Sequence, residues 1–469
     1  MRTFTIFVIR SYGGRTEQLR FAHHVVVPSS DHQNMIRRIG LAPVLALVGA
    51  LLMSGSDAAA QVVHPTAWNP ALLERPDIKS AFGVLERGFA KQVEEWITIA
   101  EMPGKSGREQ QRAAYVRRVM ETERLQVSVD SMGNVTGRRK GTGGGPTIVF
   151  AAHLDIVHAP ETNLKVRRAG DTLHAPGIFD NSASVANMLA AIRALNAAKI
   201  TTKGDLIFVA TVQEEVGLRG MDYWLKHNAK PDLLIGLDGG LGPVNYGALG
   251  IYWTRYVFTS PGSHTVTSRG KPTPVKALSA AIDSIYALQY APLPEGAVIN
   301  VGQVHGGVIF NGIPQELYFT VDLRSPNPVL LDSLDQRIGR IVQQAATREK
   351  VGLRVETDTR NGAGGTTAML EGARNHPLVQ TAVDIQRQLG IVIGMPGATE
   401  AVATGSTDAN MGVVRKIPSI AIGRSYGGNQ HTLTEWAHWP SALPATKMLV
   451  LLAGTFGDGI NVVAGRIVP

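Results

Sequence analysis

Thr147-Ile-Val-Phe-Ala-Ala-His153-Leu-Asp155 decides the fold. From Thr147 to Ala152 the run holds no charge and starts with three β-branched residues. It does not alternate, as a strand with one wet face would. A continuous apolar strand is the kind buried on both faces of a parallel sheet. Two further runs share this texture, Leu206-Ile-Phe-Val-Ala210 and Leu233-Leu-Ile-Gly-Leu237. Ser182 to Ala198 reads as a helix between the first two, with Val185, Leu189, Ile192 and Leu195 on one face. A shorter helix is expected near Leu218–Asn228. Strands alternating with helices predict an α/β fold, a mostly parallel sheet flanked by helices.

Upstream, residues 75–125 mix polar and apolar positions at helical spacing. Leu125–Val129 and Asn134–Gly137 alternate like the strands of a hairpin, and a Gly-rich turn runs from Gly141 to Pro146. Downstream the texture changes from about Gly250 to Arg360. Strand-like stretches (Tyr252–Thr259, Ala297–Val304, Gln315–Leu323) alternate there with two helical ones (Pro274–Leu288, Leu330–Glu349), as in an inserted α+β unit. Gly362-Ala-Gly-Gly365 reads as the return hinge, and β/α texture resumes from about Leu370. The expected divisions are a signal region at 1–60, a first catalytic part at 61–249, the insert at 250–362 and a second catalytic part at 363–469.

Composition excludes several classes. At 469 residues, 44% hydrophobic and 18% charged, the chain is globular and not disordered, coiled or collagen-like. It has no cysteine, which removes disulfides, thiolate metal sites and a cysteine nucleophile. The formal charge is +8, but residues 1–60 carry six arginines against three acids, so the remainder carries only +5. Its basic clusters, Arg138-Arg139-Lys140 and Arg167-Arg168, are too short for a nucleic-acid footprint, and no nucleic-acid partner is expected. From Met35, two arginines, an apolar run from Ile39 to Met53 and Ala58-Ala59-Ala60 form a secretory signal with cleavage after Ala60. That run falls short of the roughly 20 residues of a spanning helix, so no stable membrane insertion is expected after signal removal. The true start is expected near Met35, and the protein is expected to be exported, periplasmic or secreted.

Ligands of open α/β sheets sit beyond the carboxyl ends of the strands, and here those ends carry acids and a histidine. The first ends in His153-Leu-Asp155, the second runs into Gln213-Glu214-Glu215, and the third ends in Asp238. Gly177-Ile-Phe-Asp180-Asn181 precedes the helix between the first two, and Asn429-Gln-His431 lies far downstream. Taken singly each is ordinary: Asp180 a helix cap, Asp238 a turn residue, Glu214-Glu215 a solvated pair. Together, two imidazoles and several carboxylates converging on one sheet edge suit zinc, cobalt or manganese.

These residues resemble the two-metal metallopeptidase family that includes peptidase T, glutamate carboxypeptidase, aminoacylase, acetylornithine deacetylase and succinyl-diaminopimelate desuccinylase. The similarity runs from Thr147 to Trp436. Within it Gly307–Pro314 followed by Val321-Asp322-Leu-Arg324-Ser325 is similar to the family's lid, and Gly405-Ser-Thr-Asp408-Ala-Asn410 to another family segment. The resemblance implies that Asp180 bridges two divalent ions, zinc first with cobalt or manganese as alternatives. His153 and Asp238 complete one site, Glu215 and His431 the other. Asp155 then orients His153, and Glu214 is the general base. His264 would stabilise the oxyanion, often from the partner subunit, while Asn311 and Arg324 would hold a substrate carboxylate. The insert would serve as lid and dimerisation domain, which implies a homodimer. Where relatives usually carry Lys or Gly close after the bridging acid, this chain has Asn181-Ser182-Ala183-Ser184. Asp rather than Glu at 238 leans toward the tripeptidase and aminopeptidase types.

The expected function is metal-dependent cleavage of an amide bond in a small peptide, with an N-acyl amino acid deacylase or desuccinylase as the alternative. Single-domain zinc aminopeptidases use a nearly identical ligand series but lack the insert. A silent binding relative would be expected to have lost Glu214 or a ligand.

Overall fold

Strands without polar alternation must be covered on both faces, and the computed structural model shows what covers them. It describes residues 66–290, 297–360, 368–370, 372–392, 401–402, 405–458, 461–463 and 466–468. The signal region at 1–60 and the hinge at Gly362–Gly365 lie outside the described residues. The main sheet has eight strands: β1 (Gln126–Val129), β2 (Val135–Arg139), β3 (Ile148–His153), β4 (Leu206–Thr211), β5 (Leu233–Leu237), β6 (Val244–Asn245), β7 (Ala401–Val402) and β8 (Ser419–Ile422). Their order is β1-β2-β4-β3-β5-β8-β6-β7. The central four, β4, β3, β5 and β8, run parallel, with β1 and β2 antiparallel at one side as the expected hairpin.

Successive side chains of β3 go to opposite faces. Ile148, Phe150 and Ala152 join a large core under the helices Pro76–Ala100, Ser182–Ala197 and Ala442–Gly457, while Val149 and Ala151 join a smaller one with Met221, Trp224 and Met411. Each large side chain so buried contributes roughly 1.5–3 kcal/mol.

Two helical expectations gain detail. The region 75–125 is two helices, Pro76–Ala100 and Gln110–Thr122, because Pro103-Gly104 interrupts the pattern. Ser182–Ala197 is buried nearly all round and not along one stripe. Its other positions are mostly Ser and Ala, and such small side chains let neighbouring helices approach closely.

The strands Gly250–Thr259, Val298–Gly306, Glu316–Ser325 and Gly352–Arg360 form a separate antiparallel sheet. Helices Pro274–Tyr290 and Pro328–Glu349 pack on one face, with Ile285, Leu331 and Val342 joining Tyr256, Phe258 and Phe319 of the sheet in one core. The edge strand Gly352–Arg360 was not predicted, because charges dilute its apolar pattern. Those charges suit an edge: Arg354 pairs with Glu356 and Glu316. Since strand faces alternate, Ile251, Trp253, Asp322 and Arg324 lie on the face away from these helices.

Candidate active site

Four parallel strands end at one edge, and their register brings the chemistry together. His153 closes β3 directly opposite Thr211 of β4, whose continuation carries Glu214 and Glu215. Asp238 follows β5. Gln213, just ahead of the two glutamates, and His431 both have left-handed backbone (φ 54° and 63°), a conformation that non-glycine residues hold mainly where their surroundings impose it.

The predicted ligands converge. His153 Nε2 lies 3.2 Å from Asp180 Oδ1, 3.9 Å from Asp238 Oδ2 and 4.0 Å from Glu214 Oε2. His431 Nε2 lies 3.5 Å from Asp180 Oδ2 and 3.1 Å from Glu215. In each of the sets His153/Asp180/Asp238, His153/Glu214/Glu215 and Asp180/Glu215/His431, one donor atom per residue falls within 4.8 Å of the others. The first and third sets share Asp180, whose Oδ1 lies beside His153 and whose Oδ2 lies beside His431. Buried Asp180 Oδ1 accepts no hydrogen bond, although His153 and Arg424 flank it. Nitrogen and oxygen donors in this arrangement fit divalent cations.

Surrounding residues hold these ligands in place. Asp155 is buried, and its main-chain carbonyl lies 3.1 Å from His153 Nδ1, its carboxylate 3.4 Å. That carboxylate also accepts the backbone N–H groups of Glu214 (3.0 Å) and Glu215 (3.1 Å) and the Ser106 hydroxyl (2.6 Å). Asp155 therefore contacts the histidine ring and both backbone amides of the glutamate pair.

Two positioning residues were missed in the sequence. Glu435 is buried and accepts the N–H groups of Gly177 (2.9 Å), Phe179 (2.8 Å) and Asp180 (2.7 Å), holding the loop that presents Asp180. Glu435→Ala strands three backbone donors, two of them buried, and is expected to cost about 3 kcal/mol in denaturant unfolding, with weaker metal retention. Arg424, two residues past β8, contacts Asp180 and Asp238. Neither carried a signal, since an isolated Glu or Arg in a loop segment reads as solvated.

The cluster is overcrowded with acid. Burial, against His153 and with Asp238 and Glu215 adding repulsion, raises Glu214 well above the carboxylate range. Burial also raises Glu215 and Asp238. Asp180 falls well below that range: burial works against its charge, but Arg424 and both histidines overcome it. Behind Glu214, burial pushes Asp408 up to about 7, although Thr211 donates to its Oδ2 at 2.5 Å.

His431 is raised to about 10 by its bonds to Asp180 and then Glu215. A raised histidine stabilises fully below its unfolded value, near 6.5, and that contribution disappears as pH climbs through about 10. Metal-stripped protein is therefore expected to lose melting temperature across this window. The same window should strengthen metal binding, since the ring must shed its proton first. Melting curves against pH, with and without chelator, check both signs.

A cavity of about 500 Å³ opens over the cluster, walled by Val157, Leu218, Ile251 and Trp253. Arg324 also lines it, but its fork is already taken by Asp322 (Nε–Oδ1 3.0 Å, Nη2–Oδ2 2.9 Å). His264 and Asn311 do not line this cavity. They lie 3.4 Å apart and exposed, His264 in the short ribbon that pairs with Gly312.

Residues 149–455 match the model of peptidase family M20/M25/M40. The chain belongs to that family. As a member of family M20/M25/M40 it is a metallohydrolase acting on amide bonds. Among curated relatives, the LysW-lysine hydrolase of Deinococcus radiodurans is 26% identical over 343 residues, 71% of this chain and 88% of the relative. Solved structures with the same fold include a tripeptidase of Staphylococcus aureus (TM-score 0.64, 18% identity, 78% of this chain and 98% of that one). Human carnosine dipeptidase 1 aligns at TM-score 0.66 with 12% identity, covering 82% and 99%. A dinuclear metal-binding peptidase of family M20 from Bacillus subtilis aligns at 0.55 with 17% identity, covering 79% and 98%.

Proposed function

We propose that this member of family M20/M25/M40 is an exopeptidase that cleaves di- or tripeptides, or removes an amino-terminal residue, with two divalent ions. The observation that carries this reading is Asp180, whose two oxygens face opposite histidines, each with a second carboxylate alongside. His153, Asp180 and Asp238 would hold one ion, and Asp180, Glu215 and His431 the other. Zinc is the first choice, with cobalt or manganese acceptable to the same donors. When bound, such ions polarise the scissile carbonyl and lower the pKa of water.

The chain's own residues do the rest. Glu214 needs no ligand duty in this scheme. It takes a proton from the attacking water and returns it to the leaving amine. Asp155 keeps the His153 ring and the glutamate pair in register. Ile251, Trp253 and Leu218 offer an apolar wall for a substrate side chain, and the cavity's volume suits a short peptide. Arg324 would take a substrate carboxylate only by competing with Asp322.

The second reading is an N-acyl amino acid deacylase or desuccinylase, favoured by the relative named a LysW-lysine hydrolase rather than a peptidase. A homodimer through the insert would bring His264 and Asn311 of one copy to the cavity of the other. The exposed apolar run Val308-Ile-Phe310, adjoining Asn311, supports that surface. Export rests on the Met35–Ala60 pattern. Among the described residues no helix is long and apolar enough to cross a membrane.

The test starts the chain at Gln61, strips its metal and reloads zinc, cobalt or manganese. It is then assayed on di- and tripeptides beside N-acetyl and N-succinyl amino acids. Metal-dependent cleavage of peptides with a free amino terminus is expected. Cleavage of acylated amino acids alone would transfer the protein to the deacylases, and failure to bind metal would sink both readings.

A further inference from the structure

Arg424 is 2% exposed, and its position is determined from every side. Gly423 passes so close to Gly240 that a Cβ there would sit 2.1 Å from the Gly240 carbonyl oxygen, which fixes the backbone just before it. The guanidinium lies over the Phe179 ring, 4.1 Å from its centroid. Nη1 donates to Asp238 Oδ1 and to Asn181 Oδ1 (3.1 Å), and Nη2 lies 3.1 Å from Asp180 Oδ1. The Arg424 carbonyl accepts from Asn187 Nδ2 at 2.8 Å. A permanently charged group is thus built into the floor of the acid cluster.

Its charge is unevenly shared. Asp180 turns Oδ1, the oxygen beside Arg424, toward His153, and Oδ2 toward His431. Asp238 gives Oδ1 to Arg424 and to the Gly239 N–H (2.6 Å), leaving Oδ2 toward His153. Both carboxylates of the His153 group therefore give an oxygen to Arg424, and for Asp180 it is the same oxygen that faces His153. Glu215 pairs with His431 alone among the described ion pairs. A guanidinium bound to the carboxylates that would hold a metal ion repels that ion and draws density from its ligands, and burial leaves that repulsion poorly screened.

We propose that Arg424 is a resident counter-cation that ranks the two ion positions. The Asp180/Glu215/His431 group fills first and tightly. The His153/Asp180/Asp238 group fills second, more weakly, and Arg424 keeps its carboxylates assembled until the ion arrives. This rests on the two-ion reading above.

Calorimetric titration of stripped protein with zinc or cobalt, alongside melting temperatures before and after loading, tests it. The natural chain should show two uptake events at least ~10-fold apart in affinity. His431→Ala should abolish the tight one and Asp238→Ala the weak one. In Arg424→Met the second ion should tighten ~10-fold. The stripped form of this variant should melt lower while its gain on loading grows. An arginine needed only for packing would lower stripped and loaded forms alike and leave the gap unchanged, which overturns the proposal. Arg424→Lys keeps the charge and should keep the ranking, so the question stays answerable if Arg424→Met does not fold. Two ions of equal affinity in the natural chain defeat the ranking alone, whereas no ion uptake defeats the two-ion reading with it.

Discussion

Glu214→Gln is expected to lower kcat by ~10²- to 10⁴-fold while both ions stay bound. The amide matches the carboxylate in size, and the backbone N–H that Asp155 accepts is untouched, so the fold and the ligand geometry have no reason to change. What disappears is the proton acceptor. Glutamine cannot take the proton from water or deliver it to a departing amine. Steady-state kinetics with metal content measured on the same sample separates the two effects. A loss smaller than tenfold would remove Glu214 from the role of base, and a loss of metal would make it a ligand, as the His153/Glu214/Glu215 grouping also allows.

Asp180→Ala is expected to be more severe. It removes an oxygen from each ion group at once, so metal per chain should fall from two to at most one weakly held ion. Activity should drop by at least ~10³-fold, since the ions supply several kcal/mol of transition-state stabilisation. The loop should survive, because Glu435 binds the backbone of residue 180 and not its side chain. Equilibrium dialysis and circular dichroism distinguish the outcomes. A variant that keeps two tightly held ions would refute the shared-ligand reading.

Asp180 and Glu214 differ in legibility from the residues that hold them in place. Glu214 stood out because it follows a buried apolar run, and Asp180 because it sits just ahead of a helix between two such runs. Glu435 and Arg424 did not, although the structure gives each at least three polar contacts. Their partners are backbone amides and acids far away in the chain, and nothing local marks them. The fourth parallel strand, Ser419–Ile422, shows why. It is four residues long, too short for periodicity to register, so the strand end that carries Arg424 was invisible.

The sequence alone made legible the α/β class, the β1–β2 hairpin, the insert's helices and three of its four strands, and the placing of His153, Glu215 and Asp238 at or just past strand ends, with Asp180 ahead of a helix. These follow from runs of like residues and from neighbours along the chain, which are local properties. Only the tertiary structure decided which oxygen of Asp180 faces which histidine, that Asp155 pins both glutamates, and that Asp322 already occupies the Arg324 fork. It also decided that His264 and Asn311 stand apart from the cavity of their own chain. Those are outcomes of β-sheet register and burial, where a charge must find its partner from whatever the fold brings within about 3 Å.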